Sequence, residues 1–276
     1  MDATKRKTSI TAHCLVKNEE NFIWYSIMSV VDCVDKILVW DTGSTDRTIE
    51  IIDEIRTRYP KKVDFVEVGD VDPNKYSEIR QKMVSETKNG WIFVLDGDEI
   101  WWNNSIEIVT VFLKENAKKY ESIVVPTMNL VGDMFHYQEQ SGGRYKFGKL
   151  KGHYALRFIN RDISGLHISD SYGKEGFFDG NNVSIQNRDE TRIKFINAPY
   201  IHTTHLVRSP KDKEVMQRIK KTKYELGIEF PKDFYYPESF FKEKPEIVKN
   251  VWENANSGFK FRAFFETPLR KIKRRI

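Results

Sequence analysis

The chain has 276 residues, 39% hydrophobic and 13% aromatic, with 45 Lys and Arg against 40 Asp and Glu, a formal charge of +5. That length suits one large domain or one domain with an appendage, and that apolar content excludes a disordered chain. No apolar run reaches the roughly 18 residues of a membrane-spanning helix, the N-terminal stretch lacks the core of a secretory signal, and Cys14 and Cys33 are too few and wrongly spaced for a disulfide framework or a zinc site. A soluble or peripheral cytoplasmic protein is expected, with both cysteines as small core residues.

Residues 9–16 read as a strand. From Asn18 onward Ile23, Ile27, Val30, Val31 and Val34 recur at helical spacing. Asn18 is the expected N-cap, and Glu19 and Glu20 suit the positive end of the helix dipole. Residues 36–40 form a second strand, running into the turn Asp41-Thr-Gly-Ser-Thr-Asp46. The helix that follows places Ile49, Ile52 and Ile55 on one face, and Pro60 closes it. Residues 63–68 give a third strand. Residues 76–88 give a helix with Tyr76, Ile79, Met83 and Val84 inward, ended by Asn89-Gly90. Residues 91–95 (WIFVL) are unbroken apolar, as in a central strand buried on both faces. A helix near 105–118 and a strand over 122–130 follow.

This alternation predicts an α/β fold with a mostly parallel central sheet flanked by helices. Residues 144–199, richer in Gly, Asn and aromatics, read as short strands and loops of a smaller lobe. Pro210 and Pro231 bracket an expected charged helix over 213–226, and the tail from Pro237 reads as irregular. Charge is uneven: residues 208–276 carry 18 Lys and Arg against 10 Asp and Glu, a net of +8, which leaves the rest at −3.

In open α/β sheets, ligands bind beyond the carboxyl ends of the strands. Three strands here end there in polar residues: Lys17-Asn-Glu19-Glu20, Asp41-Thr-Gly-Ser44 and Asp96-Gly97-Asp98-Glu99. Carboxylates gathered on one edge repel unless a cation or hydrogen-bonding ligand compensates them. Asp96-Gly97-Asp98 offers two oxygen donors with room at Gly97, a set suited to Mg²⁺ or Mn²⁺ shared with phosphates. Asp41 could accept from the N–H groups of a nucleobase, or simply cap the following helix. Walker A and dinucleotide fingerprints are absent.

The string ITAHCLVKNEENFIWYSIMSVVDCVDKILVWDTGSTDRTIEII, the Ser-Glu-Ile-Arg80 helix and WIFVLDGDE together resemble the nucleotide-sugar half of a family 2 glycosyltransferase of the GT-A fold. The resemblance is strong over residues 8–130 and looser to about 207. It implies an inverting transferase that moves a sugar from a nucleoside diphosphate sugar to an acceptor hydroxyl. Leu15, Lys17, Glu19 and Asp41 would meet the base and ribose, with Arg80 near the nucleotide. Asp96 and Gly97 would lie by the ribose, and Asp98 would hold Mn²⁺ or Mg²⁺ bridging the diphosphate. Relatives follow an Arg-aromatic pair with a Gly-x-His-Glu-like segment that supplies the general base. This chain has Leu156-Arg157-Phe158 and then Gly165-Leu-His167-Ile168-Ser-Asp170, with Ile168 where the acid is expected. Asp170 is the first choice of base, with Glu175 and Asp179 as alternatives. A late histidine often completes the metal site in such enzymes; His205 is preferred slightly over His202.

The resulting division is a GT-A domain over 1–207 (nucleotide-sugar half 8–130, acceptor half 131–207) and a basic helical extension over 208–276. In the tail, Pro268 would open a short helix with Leu269, Ile272 and Ile276 on one face. Such a basic amphipathic end suits an anionic membrane surface, and a lipid-linked or cell-surface glycan acceptor would give it a use at the inner face of the cell membrane. A nucleic-acid partner is not expected. The rival readings are a sugar-phosphate nucleotidyltransferase, which lacks its glycine-rich loop here, and a non-catalytic membrane- or nucleic-acid-binding module.

Overall fold

Strand and helix alternate through the first half, as the hydrophobic periodicity demands. The computed structural model describes residues 8–169, 176–216 and 218–275. In chain order these give β1 (Ile10–Val16), α1 (Ile23–Val30), β2 (Lys36–Asp41), α2 (Thr48–Arg58), β3 (Val63–Glu67), α3 (Tyr76–Glu86), β4 (Trp91–Val94), β5 (Glu99–Trp101), α4 (Asn103–Asn116) and β6 (Ser122–Asn129). Short pieces follow: β7 (His136–Tyr137), β8 (Tyr145–Phe147), β9 (Leu150–Gly152), β10 (Tyr154–Asn160), β11 (His167–Ser169), β12 (Gly176–Phe178), β13 (Ile193–Phe195), β14 (Tyr200–His202), α5 (Arg218–Lys221), β15 (Ile228–Glu229) and α6 (Ser257–Arg275).

The main sheet has nine strands in the order β3-β2-β1-β4-β10-β6-β14-β5, with β13 also on β6. The run from β3 to β4 is parallel. β10 then enters antiparallel between β4 and β6. Alternate side chains serve opposite faces. Ile37, Val39 and Phe93 join the core beneath α1, α2 and α4, whereas Leu38, Trp40, Ile92 and Val94 meet Ile79, Met83 and Val84 of α3. Helices therefore cover both faces of a mixed, mostly parallel sheet.

Several expectations change. Asn18 does not cap α1, which starts at Ile23 after a turn closed by Phe22 and Ile23 N–H donating to the Glu19 carbonyl. Asn18 has φ +52° and donates its N–H to Ser44 Oγ, while its Oδ1 accepts from Thr45 N, so it ties the β1 end to the β2 turn. Within residues 144–199, β10 and β13 join the main sheet, while β8, β9, β11 and β12 form small hairpin sheets beside it. The helix expected over 213–226 shrinks to α5, whose Arg218 reaches the end of β1. The tail is mostly irregular up to residue 256, but its last part forms α6, 19 residues long, with Pro268 inside it rather than at its start. Pro268 is exposed, so the carbonyl its ring leaves without a donor can meet water. Ile276 lies outside the described residues.

Two features fix the site. All eight residues of α1 are buried, as expected for a helix apolar all round. Its two serines face polar work: Ser26 Oγ donates to the Asp96 carbonyl at 3.0 Å, and Ser29 Oγ accepts from Trp101 N at 3.1 Å. The chain around Asp96–Glu99 is thus pinned from beneath. β5, which sequence periodicity did not reveal, runs back antiparallel to β14 and pairs Glu99 with His202.

Candidate active site

The carboxyl ends of β1 and β4 meet the end of β14 around a cleft of about 200 Å³. Its lining includes Leu15, Lys17, Glu19, Arg80, Asp96, Gly97, Asp98 and His202, eight of the positions singled out in the sequence. One ligand atom each from Asp96, Asp98 and His202 lies within 4.8 Å of the others. Asp98 Oδ2 is 3.4 Å from His202 Nε2 and 2.8 Å from Arg208 Nη1. Both Asp98 oxygens are buried and neither has a hydrogen-bond partner of sound geometry. A carboxylate so placed suits a cation, and two carboxylates with one imidazole form a donor set that Mn²⁺ or Mg²⁺ accepts.

The cations around the cleft keep these carboxylates charged. Burial pushes Asp98 upward, but Arg208 and His202 outweigh it and hold the carboxyl well below its usual range. Asp96 likewise ends below its usual range, because Arg157 and Arg80 overcome its burial. Arg157 Nη2 reaches Asp96 Oδ2 at 3.2 Å and also pairs with Glu99, while Arg80 stands 3.9 Å from Asp96. Glu99 goes the other way: burial lifts it to about 7 despite Arg157. Glu19 is also lifted to about 7 by burial, although Arg208 and Arg218 lie at 3.0 and 2.6 Å.

Gly97 is closely packed. A Cβ there would sit 3.0 Å from Glu19 Cγ and 3.2 Å from Val16 Cγ1, so those side chains would have to give by a few tenths of an ångström. Asp41 departs from the sequence expectation. One of its oxygens accepts from Gly43 N and Ser44 N and the other from Ser44 Oγ, which turns the carboxylate into its own loop. Asp41 is buried and does not line the cleft; its neighbour Thr42 does. The slight preference for His205 is also reversed. His205 Nδ1 donates to the Lys221 carbonyl at 2.6 Å and its ring lines a different cavity, because β14 ends at His202 and the chain turns away.

Asp170 and Glu175 lie outside the described residues. The flanking strands β11 and β12 line a hollow of about 310 Å³ that shares Arg80 and Asp96 with the cleft. Asp179, the third base candidate, is committed elsewhere: Oδ1 accepts from Asn181 N and Val183 N, and Oδ2 pairs with Arg188. Sequence reasoning missed Arg208, Arg218 and Lys221, all on the cleft wall. Arg218 also holds β1's exit through the carbonyls of Lys17 (2.8 Å) and Asn18. The signal was the uncompensated acidic edge, which demands cations without saying where in the chain they lie.

The sequence profile described as Glycosyl transferase family 2 matches residues 14–171, more than half of the chain. The chain belongs to glycosyl transferase family 2. The family match ends before β14, so His202, Arg208 and Arg218 lie beyond it. An uncharacterized glycosyltransferase of Rickettsia bellii (strain RML369-C) is 32% identical over 114 residues, 40% of this chain and 35% of the relative. The SPbeta prophage-derived glycosyltransferase SunS of Bacillus subtilis (strain 168) is 31% identical over 96 residues, 34% of this chain and 21% of the relative. The alignments thus span about a third or less of these curated relatives. Among solved structures, S. aureus TarS 1-349 in complex with UDP-GlcNAc is similar at a TM-score of 0.44 and 14% identity, over 71% of this chain and 58% of that one. Glucosyl-3-phosphoglycerate synthase from Mycobacterium tuberculosis, in complex with Mn2+, UDP-Glc and PGA, is similar at 0.42 and 21%, over 79% and 80%.

Proposed function

We propose that this family 2 chain is a metal-dependent glycosyltransferase that takes a sugar from a nucleoside diphosphate donor and passes it to an acceptor hydroxyl with inversion. The observation that carries the reading is the Asp96–Asp98–His202 cluster, whose buried Asp98 oxygens have no hydrogen bond of sound geometry, inside a ring of arginines. Leu15, Lys17 and Thr42 would receive the base and ribose, with Asp96 beside the ribose. Arg80, Arg208, Arg218 and Lys221 would face the diphosphate, whose charge grows as the sugar–oxygen bond breaks. A divalent cation held by Asp98 and His202 would, when bound, neutralise the leaving diphosphate.

Inversion needs one base on the acceptor side to take the hydroxyl proton. Asp170 and Glu175 are our candidates, since the strands on either side of them border the hollow next to Asp96. In this reading the boundary at residue 207 does not separate functions, since Arg208, Arg218 and Lys221 complete the donor cleft. A lipid-linked acceptor at the inner membrane face fits the exposed apolar stripe of α6. No described helix is long and apolar enough to cross a membrane.

Thermal denaturation with UDP, GDP and dTDP, each with Mn²⁺, tests the donor site. One nucleotide should raise the melting temperature in a metal-dependent way, and Asp98→Asn should remove that rise. Stabilisation that survives in Asp98→Asn, or fails with every nucleotide, sinks the reading.

A further inference from the structure

On the other side of the β14 exit lies a larger cavity, of about 800 Å³, that the donor cleft does not explain. Its walls are the β8–β9 hairpin, the inner face of α6 and the chain before β15. Arg144, Lys146, Lys151, Lys223 and Lys273 all point charge at it, and no acidic residue is among its described lining. Arg270 and Arg274 also line it, but they are paired with Glu266 and Glu225. The surplus is therefore carried by the other five. Burial first, and then the neighbouring Arg274, bring Lys223 down to about 8.

The floor supplies a second, independent sign. His153 and His205 are both 7% exposed, line the cavity, and leave Nε2 buried without a hydrogen-bond partner. Their tautomers follow from their neighbours. Asn129 Oδ1 accepts from Thr127, so its amide nitrogen donates to His153 Nδ1 at 3.0 Å and His153 Nε2 carries the proton. His205 Nδ1 donates to the Lys221 carbonyl, so its Nε2 is a free acceptor. One orphan donor and one orphan acceptor in a cationic cavity fit an anionic oxygen next to a hydroxyl. Buried polar groups left in this way cost free energy until a ligand or water satisfies them.

We propose that this cavity binds a phosphate ester bearing free hydroxyls, and that this is the acceptor of the transferred sugar. The acceptor assignment rests on the reading above; the phosphate site does not. The hairpin and α6 cations would hold the phosphate, His153 would donate to one of its oxygens, and His205 would accept from a hydroxyl. The cavity adjoins the donor cleft through β14, since His202 and His205 stand three residues apart on opposite sides of the strand's end.

The test uses the full chain in metal-free buffer, so that the donor cleft's cation chemistry is not engaged. sn-Glycerol 3-phosphate is titrated by calorimetry, with glycerol as the phosphate-free control. In parallel, vesicles of phosphatidylcholine with about 30 mol% phosphatidylglycerol present the same chemistry as a lipid headgroup. Arg144→Gln/Lys151→Gln alters exposed residues only, so folding is preserved, and a melting curve verifies this. It should weaken binding of the responding probe about tenfold, as should His153→Phe. Asp98→Asn should leave that binding unchanged. Whichever probe responds in this pattern supports the site and names its source, soluble ester or lipid. No saturable response to either probe, equal binding by the hairpin variant, or loss in Asp98→Asn overturns it. Failure of nucleotide stabilisation with this pattern intact would remove only the donor reading.

Discussion

Arg157 shows most sharply how one side chain governs the site. It is nearly buried, pairs with Asp96 and Glu99, and donates from Nε to the Tyr200 hydroxyl oxygen at 2.9 Å. Replacing it by Met leaves the fully buried Glu99 carboxyl without its cation, and breaking a buried pair this way costs about 3–5 kcal/mol. Urea denaturation of Arg157→Met should show a loss of that order, and adding Glu99→Gln should recover part of it. An unchanged midpoint would mean the guanidinium is not the counter-charge it is taken to be. His13 supplies one part of the pH dependence. Burial, then Arg80 and Arg161, lower it from its usual 6.5 to about 3, and it meets Thr87 Oγ1 at 2.7 Å. The unfolded chain therefore takes up a proton below about 6.5 that the folded chain refuses until about 3. The His13 contribution is full above 6.5 and is lost as the pH drops through that window, whereas Glu19 and Glu99, lifted to about 7, act in the opposite sense. At pH 5 the His13 contribution lost is about 2 kcal/mol. His13→Gln should therefore gain about that much stability at pH 5 relative to pH 7.5, compared with the parent chain; an identical difference would refute the assignment.

Elements here are held at their ends as much as along their lengths. α3 is followed by Gly90, whose φ of +84° and position against Ser9 let Trp91 N donate to the Ser9 carbonyl at 2.8 Å. A Cβ at Gly90 would lie 2.1 Å from Ser9 O. Gly90→Ala therefore meets both an unfavourable backbone and a collision. The conformational part alone costs about 1 kcal/mol, and β1 must also shift from β4. Chemical denaturation should show a loss of more than about 1 kcal/mol for this variant; a smaller loss would mean that the strand end yields freely. β10 makes the same point at larger scale. Its pattern was legible as a short strand, yet its place between β4 and β6 was not, because pairing depends on where residues 130–153 return the chain.

Across the whole molecule, charge sorts by position. α6 turns Ala263, Thr267, Arg270 and Arg274 toward the body, where Thr267 Oγ1 accepts from Leu226 N and Arg274 pairs with Glu225. Its other side exposes Phe261 (71%), Phe264 (65%), Phe265 (59%), Leu269 (68%) and Ile272 (58%), with Lys260, Arg262 and Lys271 also exposed on the helix. A basic helix with an uncovered aromatic stripe suits an anionic lipid surface. Phe261→Asp/Phe265→Asp should cut sedimentation with phosphatidylglycerol vesicles about tenfold or more while leaving the melting temperature in place. Equal pelleting would exclude the stripe as a membrane contact. The same helix lines the cationic cavity with its inner face, so docking would bring that cavity to the headgroups.

By itself the sequence determined the family, the alternating layers and the acidic edge at Asp96-Gly97-Asp98, because these are local: periodicity and turn chemistry lie within a few residues of each other. It also located the β2 turn, though not that Asp41 would spend its oxygens inside it. Tertiary structure decided which partners complete the edge. Asp98 meets His202 and Arg208, and Glu19 meets Arg208 and Arg218, across separations of over a hundred residues that no spacing rule encodes. It set His202 beside Asp96 and Asp98 and turned His205 into another cavity, and it gathered that second, cationic cavity from three distant segments. Local pattern set the carboxylates in place; the return of the chain after β6 supplied the charges that make them a site.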